Sequence, residues 1–137
     1  MRKLDCICIV DDDEIYTFLL KKTLKKMDIC NDISIYINGH EAIDSIKQLI
    51  ESKKTLPDII LLDINMPLLD GWEFLVEYLK IKDKINKQID IYIASSSIST
   101  GDINKAKEHN EVVDFIIKPI NVDTLLKISN RLLFSEQ

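Results

Sequence analysis

The sequence predicts a doubly wound α/β domain in which five helices cover both faces of a five-stranded parallel sheet. Five short apolar runs alternate with five stretches of helical periodicity, and the segments between them are short and polar. In addition, an acid, a hydroxyl or a lysine directly follows four of the five apolar runs. The carboxyl ends of parallel strands meet at one edge of such a sheet, and ligands bind there. We therefore expect one functional site at that edge.

The predicted strands are short runs rich in β-branched residues. The first, residues 4–10, ends in four consecutive acids, and the third, residues 59–62, is continuously apolar and ends at Asp63. The others cover residues 33–37, 89–94 and 112–117. Turn-forming residues follow Asp63 as far as Asp70 and Gly71, so its carboxylate should lie at the mouth of a loop. Taken alone, such an Asp more often caps a turn than performs chemistry.

The predicted helices follow from apolar spacing and from residues that favour helix N-termini. The first extends from the acids to about residue 27, the second from Asn38 to about residue 52, and the third fades near residue 82. The fourth, residues 102–109, should be loosely held because only Ile103 and Ala106 are apolar, and the last begins after Asn121. The apolar residues that recur at helical spacing are Tyr16, Leu20, Leu24 and Met27 in the first helix, and the third is marked by Trp72, Leu75, Val76 and Leu79.

The first helix also carries a second apolar face, formed by Ile15, Phe18 and Leu19. Two interpretations remain open for this face. It is a surface for a partner protein, or the helix is simply buried more widely than one stripe, and wider burial is the commoner outcome.

Composition narrows the class of protein. A chain of 137 residues, 46% hydrophobic, can bury its own core in one domain, residues 1–137. The net charge of −5 and the lack of a basic block exclude a nucleic-acid footprint, and no apolar run reaches the length of a membrane span or resembles a signal peptide. We expect a cytoplasmic protein without nucleic-acid or membrane partners, in which Cys6, Cys8 and Cys30 are reduced core residues.

The acids at the strand ends indicate a metal site. Asp11, Asp12 and Asp63 would repel one another by about 4 kcal/mol per pair at about 4 Å and an effective dielectric of about 20. A divalent cation would neutralise them, and carboxylates with a loop carbonyl near Asn65 suit Mg²⁺. Zinc is disfavoured because no Cys or His accompanies these acids.

Two further strand ends complete a set of groups for phosphoryl transfer. Lys118 adds a positive charge and Ser95 a hydroxyl, which with the cation could stabilise the three equatorial oxygens of a phosphoryl group. Asp63 would then act as the nucleophile and form an aspartyl phosphate.

These residues resemble those of the receiver domains of response regulators, the phospho-accepting modules of two-component signalling. The resemblance extends from Leu4 to about Phe134. Within the family, the chain is similar to the single-domain chemotaxis regulators. The motifs that carry it are Asp11-Asp12, the segment from Asp63 through Ile64, Asn65 and Met66 to Pro67, Asp70-Gly71, Ser95 and Lys118-Pro119. The resemblance implies a flavodoxin-like sheet of order 2-1-3-4-5.

The resemblance also implies a role for each site residue. Asp63 would accept phosphate and, with Asp12 and the Asn65 carbonyl, bind Mg²⁺ directly, whereas Asp11 would act through water. Ser95, in place of the commoner threonine, and Lys118 would hold the phosphoryl group.

The resemblance also gives Phe115 and Pro119 expected roles. Phe115 matches the family's aromatic switch position, although an ordinary strand aromatic explains it equally well. The Lys118-Pro119 bond would be cis.

The implied partners are a sensor histidine kinase or histidine phosphotransfer protein and an unknown downstream protein. The domain would catalyse its own phosphorylation and dephosphorylation without turning over an external substrate.

Two alternatives remain. One is a pseudo-receiver that signals without phosphate, which the full acidic set opposes. The other is an aspartate-nucleophile phosphatase of the haloacid-dehalogenase type, which Asn65 opposes because that class needs an acid two residues after the nucleophile. The chain is expected to be a single-domain regulator or a receiver excised from a longer protein.

Overall fold

The computed structural model describes residues 2–134 and confirms the doubly wound α/β fold. The sheet has the order β2-β1-β3-β4-β5, and every neighbouring pair of strands is parallel. The strands are β1 (Leu4–Val10), β2 (Cys30–Tyr36), β3 (Ile59–Leu62), β4 (Asp90–Ser95) and β5 (Val112–Ile117). The helices are α1 (Glu14–Met27), α2 (Gly39–Ser52), α3 (Gly71–Ile81), α4 (Thr100–Ala106) and α5 (Val122–Leu133), and a 3-10 turn, Lys82–Lys84, follows α3.

The apolar core is divided by the sheet into two layers. On one face, the strands pack against α2, α3 and the single buried residue of α4, Ala106. On the other face they pack against α1 and α5. The central strand β3 is buried along its whole length, as expected for a strand covered on both faces. The sheet is therefore a rigid platform for the residues at its carboxyl edge.

Each helix begins at a side chain that accepts a hydrogen bond from a free backbone N–H of its first turn. The five N-cap residues are Asp13, Asn38, Asp70, Ser99 and Asn121. In α3 and α4 the bond is reciprocal, because Glu73 and Asp102 accept from the N-cap N–H in return. These caps fix where each connection from the sheet turns into a helix.

Three predicted elements have boundaries that are wrong by one to three residues at each end. β2 begins at Cys30 and ends at Tyr36, three residues earlier and one residue earlier than predicted. β4 is shifted by one residue, so that Ser95 is its last member. α4 covers Thr100–Ala106 because the Ser99 cap starts it early, and turns replace its predicted end.

The apolar residues that predict α3 do not all lie on its inner face. Val76 and Leu79 are 50% and 46% exposed, whereas Phe74, Tyr78 and Ile81 are buried with Leu75. The helix is apolar nearly all round, so periodicity alone did not define its inner face.

The expectation that α1 is buried more widely than one stripe is wrong, because Ile15, Phe18 and Leu19 are 75%, 58% and 57% exposed. The second apolar face of α1 is therefore solvent-accessible.

All three cysteines are free thiols. Cys8 and Cys30 are buried, whereas Cys6 is only half-buried, which corrects the prediction for that residue. Burial raises the pKa of the Cys8 thiol to about 12. Within residues 2–134, no helix has the length and apolar character needed to span a membrane.

Candidate phosphoryl-transfer site

The backbone ladder of the sheet continues one residue beyond the strands and thereby fixes the site residues. The Asp11 N–H donates to the Tyr36 carbonyl, and the Asp63 N–H donates to the Val10 carbonyl, each at 2.9 Å. The Lys118 N–H donates to the Ser95 carbonyl at the same distance. Because these backbones are held in register, their side chains emerge at a common edge of the sheet.

Three carboxylates meet at this edge. Asp11, Asp12 and Asp63 each offer one oxygen, and these oxygens lie within 4.8 Å of one another. Asp11 and Asp63 are buried and Asp12 is exposed. Burial, and secondarily the charge of Asp11, raises the pKa of Asp63 to about 6, although Lys118 and the Ile64 and Asn65 N–H groups oppose the shift. The acids thus lie together in a strained electrostatic arrangement that a cation would relieve.

Lys118 is the cation that the chain itself supplies to this cluster. Its ammonium donates to Asp11 Oδ2 at 2.8 Å and lies 3.7 Å from Asp63 Oδ1. The side chain is only 13% exposed. Its ammonium also lies over the ring of Tyr16, 4.6 Å from the centroid. Lys118 therefore bridges two acids and contacts an aromatic face.

Ser95 and Phe115 lie on one face of the sheet beside this cluster. The Ser95 hydroxyl donates to the Ser97 carbonyl at 2.9 Å, so it is engaged by its own loop. Phe115 pairs with Ile93, two residues before Ser95, and both therefore project to the same side as Ser95. The Phe115 ring is half-buried against the core on that side. The hydroxyl and the ring are thus close enough in register for their positions to be linked.

The loop from Asp63 to α3 is held tightly against the backbone of Asp63. A Cβ on Gly71 would lie 2.5 Å from the Asp63 carbonyl oxygen, and the Gly71 N–H donates to the Ile64 carbonyl at 2.9 Å. Only glycine fits this approach. Asn65 is exposed in the same loop, and the Lys118-Pro119 peptide bond is cis.

Two residues of the site were not assigned to it from the sequence. The sequence indicates Gly71 as a turn residue and part of the family motif without a role at the site, and it indicates Tyr16 as part of the buried stripe of α1. An aromatic residue one helical turn after an acid pair was the available signal for Tyr16, but its contact with Lys118 joins residues 102 positions apart and has no sequence signature.

Comparison with known proteins identifies the family. The family model for the response regulator receiver domain matches residues 7–130. The chain belongs to this family. It is 30% identical to the chemotaxis protein CheY of Listeria monocytogenes over 121 residues, which is 88% of this chain and 92% of that protein. Other curated relatives that match are longer, and the chain spans only 7% of one of them.

Solved structures agree with this assignment of the receiver domain. A two-component response regulator from Cytophaga hutchinsonii superposes with a TM-score of 0.87 at 28% identity, covering 96% of this chain and 98% of that one. The receiver domain of the sensor histidine kinase PA1611 from Pseudomonas aeruginosa has the same fold, with a TM-score of 0.75 at 19% identity, covering 95% and 97%. That structure holds a magnesium ion coordinated in its active site cleft.

Proposed function

We propose that this receiver accepts a phosphoryl group on Asp63 from a sensor histidine kinase or a histidine phosphotransfer protein. The observation that carries the proposal is the position of the Asp63 carboxylate, grouped with two other acids and 3.7 Å from the Lys118 ammonium. An ionised carboxylate oxygen would attack phosphorus, a P–O bond to Asp63 would form, and the P–N bond of the donor phosphohistidine would break. The released imidazole would carry the electron pair and take up a proton.

The three acids fit a magnesium ion. They offer only hard oxygen ligands within one ion's reach of each other, and one acid is exposed to solvent, which leaves room for water and phosphoryl oxygens. Asp12, Asp63 and the Asn65 carbonyl would hold the ion directly and Asp11 through water. When bound, Mg²⁺ would neutralise the acids and coordinate phosphoryl oxygens as charge builds up on them.

Lys118 would stabilise the transferred group without a large movement. Its ammonium already lies between Asp11 and Asp63, so a phosphoryl group on Asp63 would add oxygens within its reach. Ionised Asp63 is the reactive form, and the cation and Lys118 would both favour it against the burial that raises its pKa. Nucleophile and charge stabilisation are thus supplied by adjacent strand ends.

The output would begin at Ser95. Its hydroxyl now donates to the Ser97 carbonyl, and a phosphoryl oxygen on Asp63 would be a charged, stronger acceptor. Exchange of acceptor would move the loop after β4, and the half-buried Phe115 could then fill the vacated space. The signal would leave through α4, of which only Ala106 is buried.

The phosphodonor would dock on the exposed apolar face of α1, Ile15, Phe18 and Leu19. A shallow, open depression beside it is lined by Asp12, Asp13, Glu14, Ile15, Ile37 and Pro67, and it connects this face to the acid cluster. A histidine-bearing helix that reaches Asp63 would cover these side chains. The chain would act with such protein partners, and the cytoplasmic location stays a prediction.

Phosphate uptake measured by intact mass tests the proposal. With Mg²⁺ and acetyl phosphate, wild type should gain one phosphoryl group and Asp63→Asn none. Asp13→Asn is the matched control, because it removes a neighbouring acid while keeping an N-cap residue, and it should gain phosphate like wild type. Equal uptake by Asp63→Asn would show that Asp63 is not the acceptor. No uptake by wild type, from acetyl phosphate or a phosphohistidine protein, would favour the pseudo-receiver alternative.

A further inference from the structure

The Lys118 ammonium has a third neighbour besides its two acids. Its distance of 4.6 Å from the Tyr16 ring centroid is within the range of a cation–π contact, and the lysine is mostly buried. Removal of water from a cation strengthens its attraction to an aromatic face. The ring therefore occupies one side of the ammonium while Asp11 and Asp63 occupy another.

The position of Tyr16 is set by its backbone and its packing. Its N–H donates to the N-cap carboxylate of Asp13 at 3.0 Å, which places it in the first turn of α1. The ring packs against the core layer between the sheet and α1. Its buried hydroxyl has no hydrogen-bond partner among the described residues 2–134, so no such bond anchors the ring. The ring face contacts the Lys118 ammonium, whereas burial and the nearby charges of Asp11 and Asp63 raise the pKa of the hydroxyl.

We propose that Tyr16 is a positioning residue for phosphoryl transfer, and that its ring holds the Lys118 ammonium against Asp11 and Asp63. This inference rests on the proposed function of Asp63. A lysine side chain is long and flexible, so an ammonium without a wall on one side would gain water and other rotamers. With the ring in place, the charge stays where the phosphoryl oxygens would arrive.

Two substitutions separate the ring from the hydroxyl. Tyr16→Phe keeps the aromatic face, and Tyr16→Leu removes it while preserving an apolar side chain. We expect Tyr16→Leu to weaken beryllofluoride binding in Mg²⁺ and to slow uptake from acetyl phosphate, each about three- to tenfold, from the usual strength of a cation–π contact. Tyr16→Phe should remain within about twofold of wild type and should melt no lower, because it removes an unsatisfied buried hydroxyl.

A second pair on the same helix is the matched control. The Lys22 ammonium lies 5.3 Å from the Phe18 ring centroid, and this ring is exposed. Lys22→Met removes a cation–π contact of the same kind from α1 but away from the acids, and it leaves the Phe18 ring in place. It should leave both beryllofluoride binding and uptake from acetyl phosphate at the wild-type level.

The Lys118 ammonium can be observed directly. Its signal in nitrogen-15 NMR spectra, assigned with Lys118→Arg, should be visible in wild type because burial slows exchange of its protons with water. We expect the signal to persist in Tyr16→Phe and to broaden or vanish in Tyr16→Leu. A purely structural role would leave this signal unchanged in folded protein. If Tyr16→Leu does not fold, Tyr16→Met replaces it with the same expectations.

The outcomes separate this inference from the proposed function. One outcome is that Tyr16→Leu is phosphorylated on Asp63 and keeps the wild-type beryllofluoride binding, uptake rate and ammonium signal. This outcome would overturn the role of Tyr16 and leave that of Asp63 intact. Equal loss in Tyr16→Phe and Tyr16→Leu would assign the effect to the hydroxyl and also overturn it. Absence of phosphate from every variant and from wild type would refute the proposed function itself.

Discussion

Replacement of Asp63 by asparagine should stabilise the domain, and the gain should depend on pH. The pKa of the Asp63 carboxyl is about 6 in the folded protein against an ordinary value of 3.8, because the group is buried beside Asp11. Between these values the folded state holds a proton that the unfolded state has released. The free energy of unfolding therefore falls as pH rises from about 4 through about 6. Asp63→Asn removes this penalty because its amide does not ionise.

The size of the effect follows from the two pKa values. Each pH unit between them corresponds to about 1.4 kcal/mol, so the full penalty is about 3 kcal/mol above about pH 7. About half of it, roughly 1.6 kcal/mol, is already present at about pH 5. The stability advantage of Asp63→Asn over wild type should therefore grow by about 1.4 kcal/mol between about pH 5 and about pH 7.5.

Urea unfolding in the presence of a metal chelator measures this advantage. For a domain of this size, a growth of about 1.4 kcal/mol in the stability advantage should widen the gap between the urea midpoints of Asp63→Asn and wild type. The gap should be about 0.5–1.5 M larger at the higher pH. Asp83→Asn, at an exposed acid in the 3-10 turn, should show no such growth. An advantage of Asp63→Asn that is equal at both pH values would mean that Asp63 carries no raised pKa, and the argument from burial would fail.

Two further predictions concern the cation and the output. Mg²⁺ should raise the melting temperature of wild type by binding the native acids, and Asp12→Ala should lose most of this rise; an undiminished rise would place the cation elsewhere. Ser95→Ala should still accept phosphate on Asp63 but fail to transmit it, because its methyl group cannot exchange the Ser97 carbonyl for a phosphoryl oxygen. Amide hydrogen exchange with bound beryllofluoride should therefore change across residues 95–110 and 112–121 in wild type and much less in Ser95→Ala. Unchanged exchange in wild type would move the readout to another loop, such as residues 66–71.

The sheet and the edge that bears the acids were predictable because they depend on local patterns. A four-residue run that is apolar at every position and bounded by turn-forming residues is typical of a central strand buried on both faces, and β3 is such a strand. The residue after it must then lie at the carboxyl edge, which fixed the expectation for Asp63. The N-caps Asn38 and Asn121 were predictable for the same reason, since their hydrogen bonds join residues three apart.

The inner face of α3 could not be read from spacing, because it depends on a contact distant in sequence. Gly71 approaches the Asp63 carbonyl, and this approach sets the orientation in which the helix leaves the loop. Phe74 and Tyr78 then point to the core while Val76 points to solvent. The exposure of Phe18 could not be predicted from the sequence either. Phe18 is exposed because no other element packs against that face of α1, and local spacing does not reveal this.

The attachment of α4 has a consequence for observing the domain at work. Trp72, at the start of α3, stacks on the ring of His109 with centroids 6.1 Å apart. The Lys105 ammonium lies 5.0 Å from the centroid of the Trp72 ring. Trp72 is the chain's only tryptophan. Both of its neighbours belong to α4 and the turn that follows it, so any shift of α4 alters the surroundings of this one indole. Its fluorescence emission is therefore a built-in optical record of whether α4 is seated on α3, readable in unlabelled wild-type protein.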